Sequence, residues 1–128
     1  MLGMIHKTGI MKNFIYILFS LVLIVSCKKD SKTHTVTYKI YENTPGSAPF
    51  TVRYTQSDAT LKQEGPISTG SWTTLDMNGY RANAIISLYL DSPGGTYDMY
   101  IYVDGSIANH VTADGGFGEQ LLEAQLPN

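Results

Sequence analysis

Few residues of this sequence have the types and the spacing that catalysis or metal binding requires. After residue 26, His34 and His110 are the only histidines, whereas a zinc site needs three or four ligands at compatible spacing. The sequence has no Gly-x-Ser-x-Gly, His-Glu-x-x-His or Walker-type glycine motif. We therefore predict that the chain is not an enzyme and that it holds neither a metal ion nor a cofactor.

The aspartates occur mostly where turns favour this residue, rather than as the facing pair that a carboxylate hydrolase needs. Those near the ends of strand-like runs are Asp58, Asp76, Asp91, Asp98, Asp104 and Asp114. Asp91 and Asp98 flank a Ser-Pro-Gly-Gly loop, so calcium, which takes oxygen ligands from loops, is an alternative there. No EF-hand spacing supports it.

Cys27, the single cysteine, has the clearest chemical context. Lys12 precedes an apolar run over 14–25, in which Ser20 is the one clearly polar residue. This is the layout of a secretory signal, and twelve residues fall short of the roughly 20 that a spanning helix needs. The run ends in Ile24-Val25-Ser26-Cys27, which resembles a bacterial lipobox. The alternative is a buried cysteine that follows a signal anchor.

A lipobox implies cleavage before the cysteine and attachment of acyl chains, such as palmitate, to the new N-terminus. We accordingly predict a lipoprotein signal peptide over 1–26, with Met4 and Met11 as alternative starts. The lipidated cysteine and a polar tether would occupy 27–33, and a folded domain 34–128. Several acyl chains make such an anchor effectively permanent. We expect the protein in the cell envelope, anchored by lipid to a bacterial membrane. The outer membrane is favoured over the inner one, and the domain would face the periplasm or the cell surface.

The composition restricts the class of the remaining domain. From residue 27 onward, seven Lys and Arg stand against eleven Asp and Glu, a net charge of −4. This balance argues against a nucleic-acid partner, which usually requires a basic patch. The chain is 43% hydrophobic, too apolar for a disordered segment. One cysteine cannot form an intramolecular disulfide, so the domain must fold on its hydrophobic core alone.

From His34 onward the hydrophobic pattern has a period of two, which indicates β-strands. The apolar rows are Val36/Tyr38/Ile40, Phe50/Val52/Tyr54, Ala84/Ile86/Leu88/Leu90 and Met99/Ile101/Val103. Thr, Val, Ile and Tyr, which favour strands, dominate these runs. We predict an all-β fold, an immunoglobulin-like antiparallel sandwich of two sheets with seven or eight strands.

Turn signals separate the predicted strands. They are Pro45-Gly46, Gly65-Pro66, Asn78-Gly79, Pro93-Gly94-Gly95, Asp104-Gly105 and Asp114-Gly115-Gly116. Asp104-Gly105 predicts a type I′ turn, because both residues tolerate positive φ, and it should join 97–103 to 106–112 as a hairpin. The segment 119–126 contains good helix formers, but its alternating pattern favours a final strand.

Aromatic side chains offer the candidate binding residues. Trp72 is expected in or near the core. Tyr89, Tyr100 and Tyr102 fall on the polar rows of their strands. If those strands are neighbours, the three side chains form an exposed patch that could bind a glycan, a lipid or a protein. The alternative is ordinary cross-strand pairing of aromatic residues.

Several segments together resemble the periplasmic domain of the mycobacterial membrane protein small (MmpS) family, over about 34–126. They are Val36-Thr-Tyr38, Thr51-Val-Arg-Tyr-Thr55, Trp72, Ala84-Ile-Ile-Ser-Leu88, Tyr100-Ile-Tyr-Val-Asp-Gly105 and Gly115-Gly-Phe-Gly118. The resemblance implies an immunoglobulin-like sandwich that assists an RND-type transporter of lipids or siderophores. Family members are typically held by an uncleaved N-terminal helix and often carry a late cysteine pair, and this chain departs from both features.

The sequence thus predicts a non-enzymatic lipoprotein of the cell envelope with a protein-interaction or transport-accessory domain. Its expected partners are the membrane, through the N-terminal lipid, and an envelope protein, which by resemblance is an RND-type transporter. The alternative function is a ligand-binding module for glycan or lipid that uses Tyr89, Tyr100 and Tyr102.

Overall fold

The structure of the chain is a computed structural model that describes residues 32–44, 49–68 and 70–128. The predicted signal peptide, Cys27, the tether up to residue 31 and the predicted turn at Pro45-Gly46 lie outside these residues. Within them, no helix is long and apolar enough to cross a membrane.

The described residues form nine β-strands and no helix, which confirms the all-β prediction. The strands are β1 (Thr33–Glu42), β2 (Phe50–Thr55), β3 (Leu61–Ile67), β4 (Ser71–Thr73), β5 (Met77–Arg81), β6 (Ile85–Asp91), β7 (Thr96–Val103), β8 (Ser106–Asp114) and β9 (Gln120–Gln125). The count exceeds the predicted seven or eight, because β4 and β5 pair separately with different parts of β1.

Two antiparallel sheets make up the predicted sandwich. In the front sheet β1 lies between β7 and the short strands β4 and β5, and β8 forms the far edge. In the back sheet the order is β3-β2-β6-β9. The chain crosses between the sheets after β1, β3, β5, β6 and β8, so strands that are consecutive in sequence often belong to opposite sheets.

The core consists of the inward rows that alternation predicts. The fully buried members, at 0% exposure, are Val36, Tyr38, Ile40, Ile86, Leu88, Leu90, Tyr97, Met99 and Ile101. From β2 of the back sheet, Phe50, Val52 and Tyr54 join this core and are also buried. Trp72 is partly buried against this cluster, as predicted. Two facing apolar rows of this kind bury a continuous core without a disulfide.

Two of the predicted turns are wrong. Gly65-Pro66 lies inside β3 as a cis peptide bond, and Asn78-Gly79 lies inside β5. The register shifts beside each segment, between Phe50 and Val52 and between His34 and Val36. Glycine permits the irregular backbone that a bulge needs as readily as it permits a turn, so these dipeptides mark irregular strands here.

The predicted hairpin is confirmed, since Asp104 and Gly105 connect β7 to β8 with φ values of 50° and 81°. At two other predicted positions the chain bends at Pro93-Gly94 and turns at Gly115-Gly116. The C-terminal segment is a strand: β9 pairs with β6 and buries Leu122. Alternation therefore outweighed helix propensity at this position, because a partner strand was present to pair with it.

Side-chain hydrogen bonds close the two open sides of the sandwich. On one side the Glu64 carboxylate accepts from the Tyr54 hydroxyl and from Trp72 Nε1, each at 2.8 Å. On the other, Asn109 donates to the carbonyl of Glu123 at 2.6 Å and accepts from the backbone N–H of His110 at 2.9 Å. The Asn109 amide thereby occupies one backbone donor on edge strand β8 and one backbone acceptor on edge strand β9.

The strand directions give the domain two distinct ends. At the base, Lys32 Nζ donates to the carbonyl of Asn128 at 2.9 Å, so the first and last described residues meet there. The Asp104-Gly105 turn lies at the same end, because β7 runs antiparallel to β1. The far end carries the loops 92–95 and 115–119. The chain preceding Lys32 thus joins the domain at its base.

Candidate binding surface

The outer face of the front sheet carries a group of aromatic side chains, positioned by the register of three strands. Tyr100 on β7 lies opposite Lys39 on β1 and opposite His110 on β8. Tyr41 and Tyr102 occupy the same outward rows, two residues away along their strands. We call Lys39, Tyr41, Tyr100, Tyr102 and His110 the aromatic surface.

The rings of the aromatic surface contact one another directly. Tyr100 stacks on His110, with ring centroids 4.4 Å apart and planes inclined by 15°. Its centroid also lies 5.9 Å from that of Tyr102 in a stacked arrangement, and 5.7 Å from that of Tyr41 in a T-shaped arrangement. Tyr100 is therefore the centre of the group. Such contacts add to the stability of cross-strand pairs.

Charged and apolar side chains extend this surface. The Lys39 ammonium lies 4.8 Å from the centroid of the Tyr102 ring, within cation–π range. A β-bulge in β8 places Ile107, instead of Ala108, opposite Tyr102, and Ile107 is 57% exposed. Tyr41 is 44% exposed. The surface thus combines exposed aromatic and aliphatic area with a cation.

Asp98 supplies a fixed negative charge at the edge of the aromatic surface. The Thr112 hydroxyl donates to Asp98 Oδ1 at 2.6 Å. This hydrogen bond lowers the pKa of the Asp98 carboxyl more than any other contact does, and a hydrogen bond from Asn43 has the next largest effect. His110 Nε2 lies 3.6 Å from the same oxygen. Partial desolvation, followed by the charge of Asp98, raises the pKa of the Tyr100 phenol. At neutral pH the surface therefore presents a carboxylate beside a neutral phenol.

A shallow groove of about 200 Å³ adjoins Tyr41 and Lys39, and Ser71, Trp72 and Thr73 complete its lining. Among the described residues, no hydrogen bond engages the hydroxyls of Tyr41, Tyr100 or Tyr102. These phenols remain available as donors and acceptors toward a partner.

The three tyrosines singled out from the sequence do not form one patch. Tyr100 and Tyr102 lie together, whereas Tyr89 lies on β6 of the back sheet. There the Arg53 guanidinium lies 4.6 Å from the Tyr89 ring centroid, and Arg53 also donates two hydrogen bonds to Glu119. The condition for a common patch fails because the connection from β6 to β7 crosses between the sheets, so their outward rows face opposite directions.

Sequence reasoning missed Tyr41, Lys39 and His110 as members of the surface. Tyr41 and Lys39 share the polar row of β1, so alternation alone could have identified them as outward-facing. Their contact with Tyr100 depends on the pairing of β1 with β7, which joins segments about 60 residues apart. No local pattern specifies that pairing.

The remaining candidate residues have other positions. His34 is buried at the base and hydrogen-bonded. Asp91 ends β6 in the back sheet and Asp98 lies on β7 in the front sheet, where Thr112 and His110 already contact its carboxylate. Within the described parts of the chain, no group of three or more His, Cys, Asp or Glu side chains could hold a metal ion.

Comparison of the sequence with models of protein families and with curated proteins found no match. The resemblance to the MmpS family therefore remains a prediction.

Proposed function

We propose that this chain is a non-enzymatic lipoprotein of a bacterial cell envelope, and that its sandwich binds a partner protein through the aromatic surface. The observation that carries the proposal is the contiguous group of Tyr41, Tyr100, Tyr102 and His110 beside Lys39 and Ile107. Tyr41 is exposed, and Tyr100 and Tyr102 are half-buried. Accessible tyrosines among a few polar groups are typical of interface centres, because a phenol buries apolar area and still offers a hydrogen bond.

The arrangement of the rings favours a protein over a glycan. A sugar stacks on an aromatic face, but His110 stacks on Tyr100 and Lys39 lies over Tyr102. The ring edges, the hydroxyls and the side chain of Ile107 are what remain for a ligand. A flat partner with its own apolar side chains and polar groups fits such a surface better than a single sugar ring.

The membrane attachment rests on the sequence. The apolar run over 14–25 ends at the lipobox-like Ile24-Val25-Ser26-Cys27. Growth of the producing cells with an alkyne-labelled palmitate analogue should label the protein, and Cys27→Ser should abolish the label. Unlabelled wild-type protein, or a Cys27→Ser variant that is still labelled, contradicts the lipoprotein proposal.

The partner would be sought among envelope proteins, and the MmpS resemblance makes an RND-type transporter the first candidate. Cross-linking in intact cells, followed by purification of the full chain and quantitative proteomics, would compare the wild type with Tyr100→Ser/Tyr102→Ser. The matched control is Tyr89→Ser, which alters an outward tyrosine of the back sheet.

We expect the double variant to lose a partner that both the wild type and Tyr89→Ser retain. Recovery of the same proteins from all three samples contradicts the use of this surface. Binding of purified wild type, but not of the double variant, to a glycan array would instead establish the alternative function as a glycan-binding module.

A further inference from the structure

An open cavity of about 190 Å³ lies at the base of the domain, between the turn that follows β2 and the turn that precedes β6. Tyr80 and Ile86 are buried and form its inner part, whereas Asp58, Arg81 and Ile85 are exposed and form its rim. The volume equals that of about six water molecules, at ~30 Å³ each. It suits a small polar group, since sites for drug-sized ligands begin at about 300 Å³. We call this space the base cavity.

Hydrogen bonds hold both turns that flank the base cavity. In the first turn, the N–H of Gln56 donates to the carbonyl of Thr60 at 2.7 Å. In the second, the N–H of Ala84 donates to the carbonyl of Arg81 at 3.3 Å, and the Ala84 carbonyl accepts from the N–H of Leu126 at 2.8 Å. The cavity is therefore preformed, which lowers the entropic cost of binding a ligand in it.

The lining of the base cavity has two charged side chains, Asp58 and Arg81, and they do not pair with each other. Within the described parts of the chain, no hydrogen bond or ion pair engages the Arg81 guanidinium. The Asp58 carboxylate is fixed, because its Oδ1 accepts from the Thr60 hydroxyl at 2.6 Å and from the Thr60 N–H at 3.0 Å.

These charges persist at neutral pH, whereas the inner part of the cavity is uncharged. The hydrogen bonds from Thr60 lower the pKa of Asp58 below its usual value. Burial raises the pKa of the Tyr80 phenol to about 12, and the charge of Asp58 contributes to the rise. The cavity thus presents one anion and one cation at its rim and a neutral phenol inside. A ligand that carries both charges would satisfy the two side chains at once.

The chain preceding the domain enters beside this cavity. Thr33 lies opposite Arg81 in the pairing of β1 with β5, and the N–H of Ala82 donates to the carbonyl of Lys32 at 3.2 Å. Lys32 follows Cys27 by five residues, which span at most about 18 Å when extended. A lipid attached to Cys27 would therefore keep the base cavity within reach of the headgroups of the membrane.

We infer that the base cavity binds the ethanolamine phosphate headgroup of a membrane phospholipid, with the phosphate at Arg81 and the ammonium at Asp58. A guanidinium suits a phosphate, and the ammonium offers N–H donors to the carboxylate. Ile85, which is 65% exposed at the rim, would face the apolar region below the headgroup. The source of the ligand rests on the proposed lipid anchor, whereas the cavity and its charges are independent of the aromatic surface.

The test uses the full chain, purified from its own cells in dodecyl maltoside micelles. Native mass spectrometry measures its affinity for phosphatidylethanolamine, phosphatidylcholine and phosphatidylglycerol with identical acyl chains. The variants are Arg81→Gln and Asp58→Asn, and the matched controls are Arg53→Gln and Asp91→Asn, which remove the same charges outside the cavity. The palmitate label described above is read on the same preparation, so a missing anchor and an unused cavity give different results.

We expect the wild type to prefer phosphatidylethanolamine, because choline has no N–H to donate and the phosphatidylglycerol headgroup has no ammonium. Arg81→Gln should weaken the binding of all three lipids by at least about fivefold, as expected for a lost hydrogen bond between charged groups. Asp58→Asn should remove the preference for phosphatidylethanolamine and leave the other two lipids within about twofold. Both control variants should bind as the wild type does.

Three results would overturn the inference. The first is a wild type that binds the three lipids equally. The second is an affinity of Arg81→Gln for phosphatidylethanolamine within twofold of the wild-type affinity. The third is displacement of the lipid by an equal concentration of free ethanolamine phosphate or glycine, since this result would identify a soluble zwitterion as the ligand. Melting curves by circular dichroism establish that each variant is folded before its affinity is compared.

Discussion

His34 Nδ1 lies 2.6 Å from Asp104 Oδ2, across 70 residues of sequence, and this contact joins the start of β1 to the turn between β7 and β8. His34 Nε2 lies 3.0 Å from the carbonyl oxygen of Pro127. The other carboxylate oxygen of Asp104 accepts from the backbone N–H of Thr35 at 3.0 Å. One side-chain cluster therefore ties the start of β1 and the segment after β9 to the hairpin turn.

Replacement of Asp104 by Asn should lower the melting temperature at pH 7. Asparagine tolerates the positive φ of 50° at this position, so the turn is retained while the charge facing His34 is lost. Thermal denaturation followed by circular dichroism measures the effect, with Asp91→Asn at the far end as a control. Equal melting temperatures for wild type and Asp104→Asn would show that the charge contributes nothing.

The same carboxylate should make the domain sensitive to acid. The Thr35 N–H, followed by His34, lowers the pKa of Asp104 from its usual value. Stability from a lowered pKa is complete above the unfolded value, about 3.9, and is lost as the pH falls through the folded value. Urea denaturation between pH 5 and 2 should therefore show a smaller loss for Asp104→Asn than for the wild type. Parallel curves would contradict this.

Trp72 should report the protonation of Glu64 directly. Partial burial raises the pKa of Glu64, but hydrogen bonds from Trp72 and Tyr54, with Lys62, lower it further than burial raises it. Since Trp72 is the single tryptophan of the chain, its fluorescence should change as the pH falls, with a midpoint below the ordinary glutamate value of about 4.3.

Glu64→Gln should abolish this fluorescence transition, whereas Glu123→Gln on β9 should leave it unchanged. The stability that the Glu64 carboxylate contributes is present above the unfolded pKa and is lost as the pH falls through the folded one. A transition that persists unchanged in Glu64→Gln would assign the signal to another group.

Gly115→Ala should destabilise the domain by about 1–3 kcal/mol, the range of overpacked sites. The added Cβ would approach the Gly94 carbonyl oxygen to 2.6 Å, and a backbone atom cannot move aside as a flexible side chain can. Gly94→Ala is the matched control in the facing loop, because its Cβ would meet nothing within 4 Å. Urea denaturation measures both variants, and equal stabilities would contradict the close approach of the loops.

Ser92 and Tyr97 should show energetic coupling in a double-mutant cycle. Their hydroxyl oxygens lie 2.9 Å apart in the buried interior, and the Ser92 hydroxyl donates to the Gly94 carbonyl, so Tyr97 must donate to Ser92. Tyr97→Phe should cost about 1 kcal/mol. Ser92→Ala should cost about 1–3 kcal/mol, because it leaves a buried phenol without an acceptor. Additive costs in the double variant would rule out the coupling.

Local sequence patterns correctly predicted the features of the fold that depend only on residues close together in sequence. The alternation of Val36, Tyr38 and Ile40 identified an inward row, and Asp104-Gly105 identified a hairpin, because both depend on neighbours in sequence. Gly65-Pro66 and Asn78-Gly79 were predicted incorrectly as turns. A glycine dipeptide permits either a turn or an irregular strand, and the partner strand decides which one forms.

The sequence by itself determined that Tyr89, Tyr100 and Tyr102 face outward, because side chains alternate along a strand irrespective of its partners. The tertiary structure alone decided that Tyr100 and Tyr102 join Tyr41 and His110, while Tyr89 lies on the opposite sheet. The alternation of apolar and polar residues specifies only on which face of its own strand a side chain lies. Which strands share a sheet depends on long-range pairing, whose free energy comes from burying both inward rows in one core.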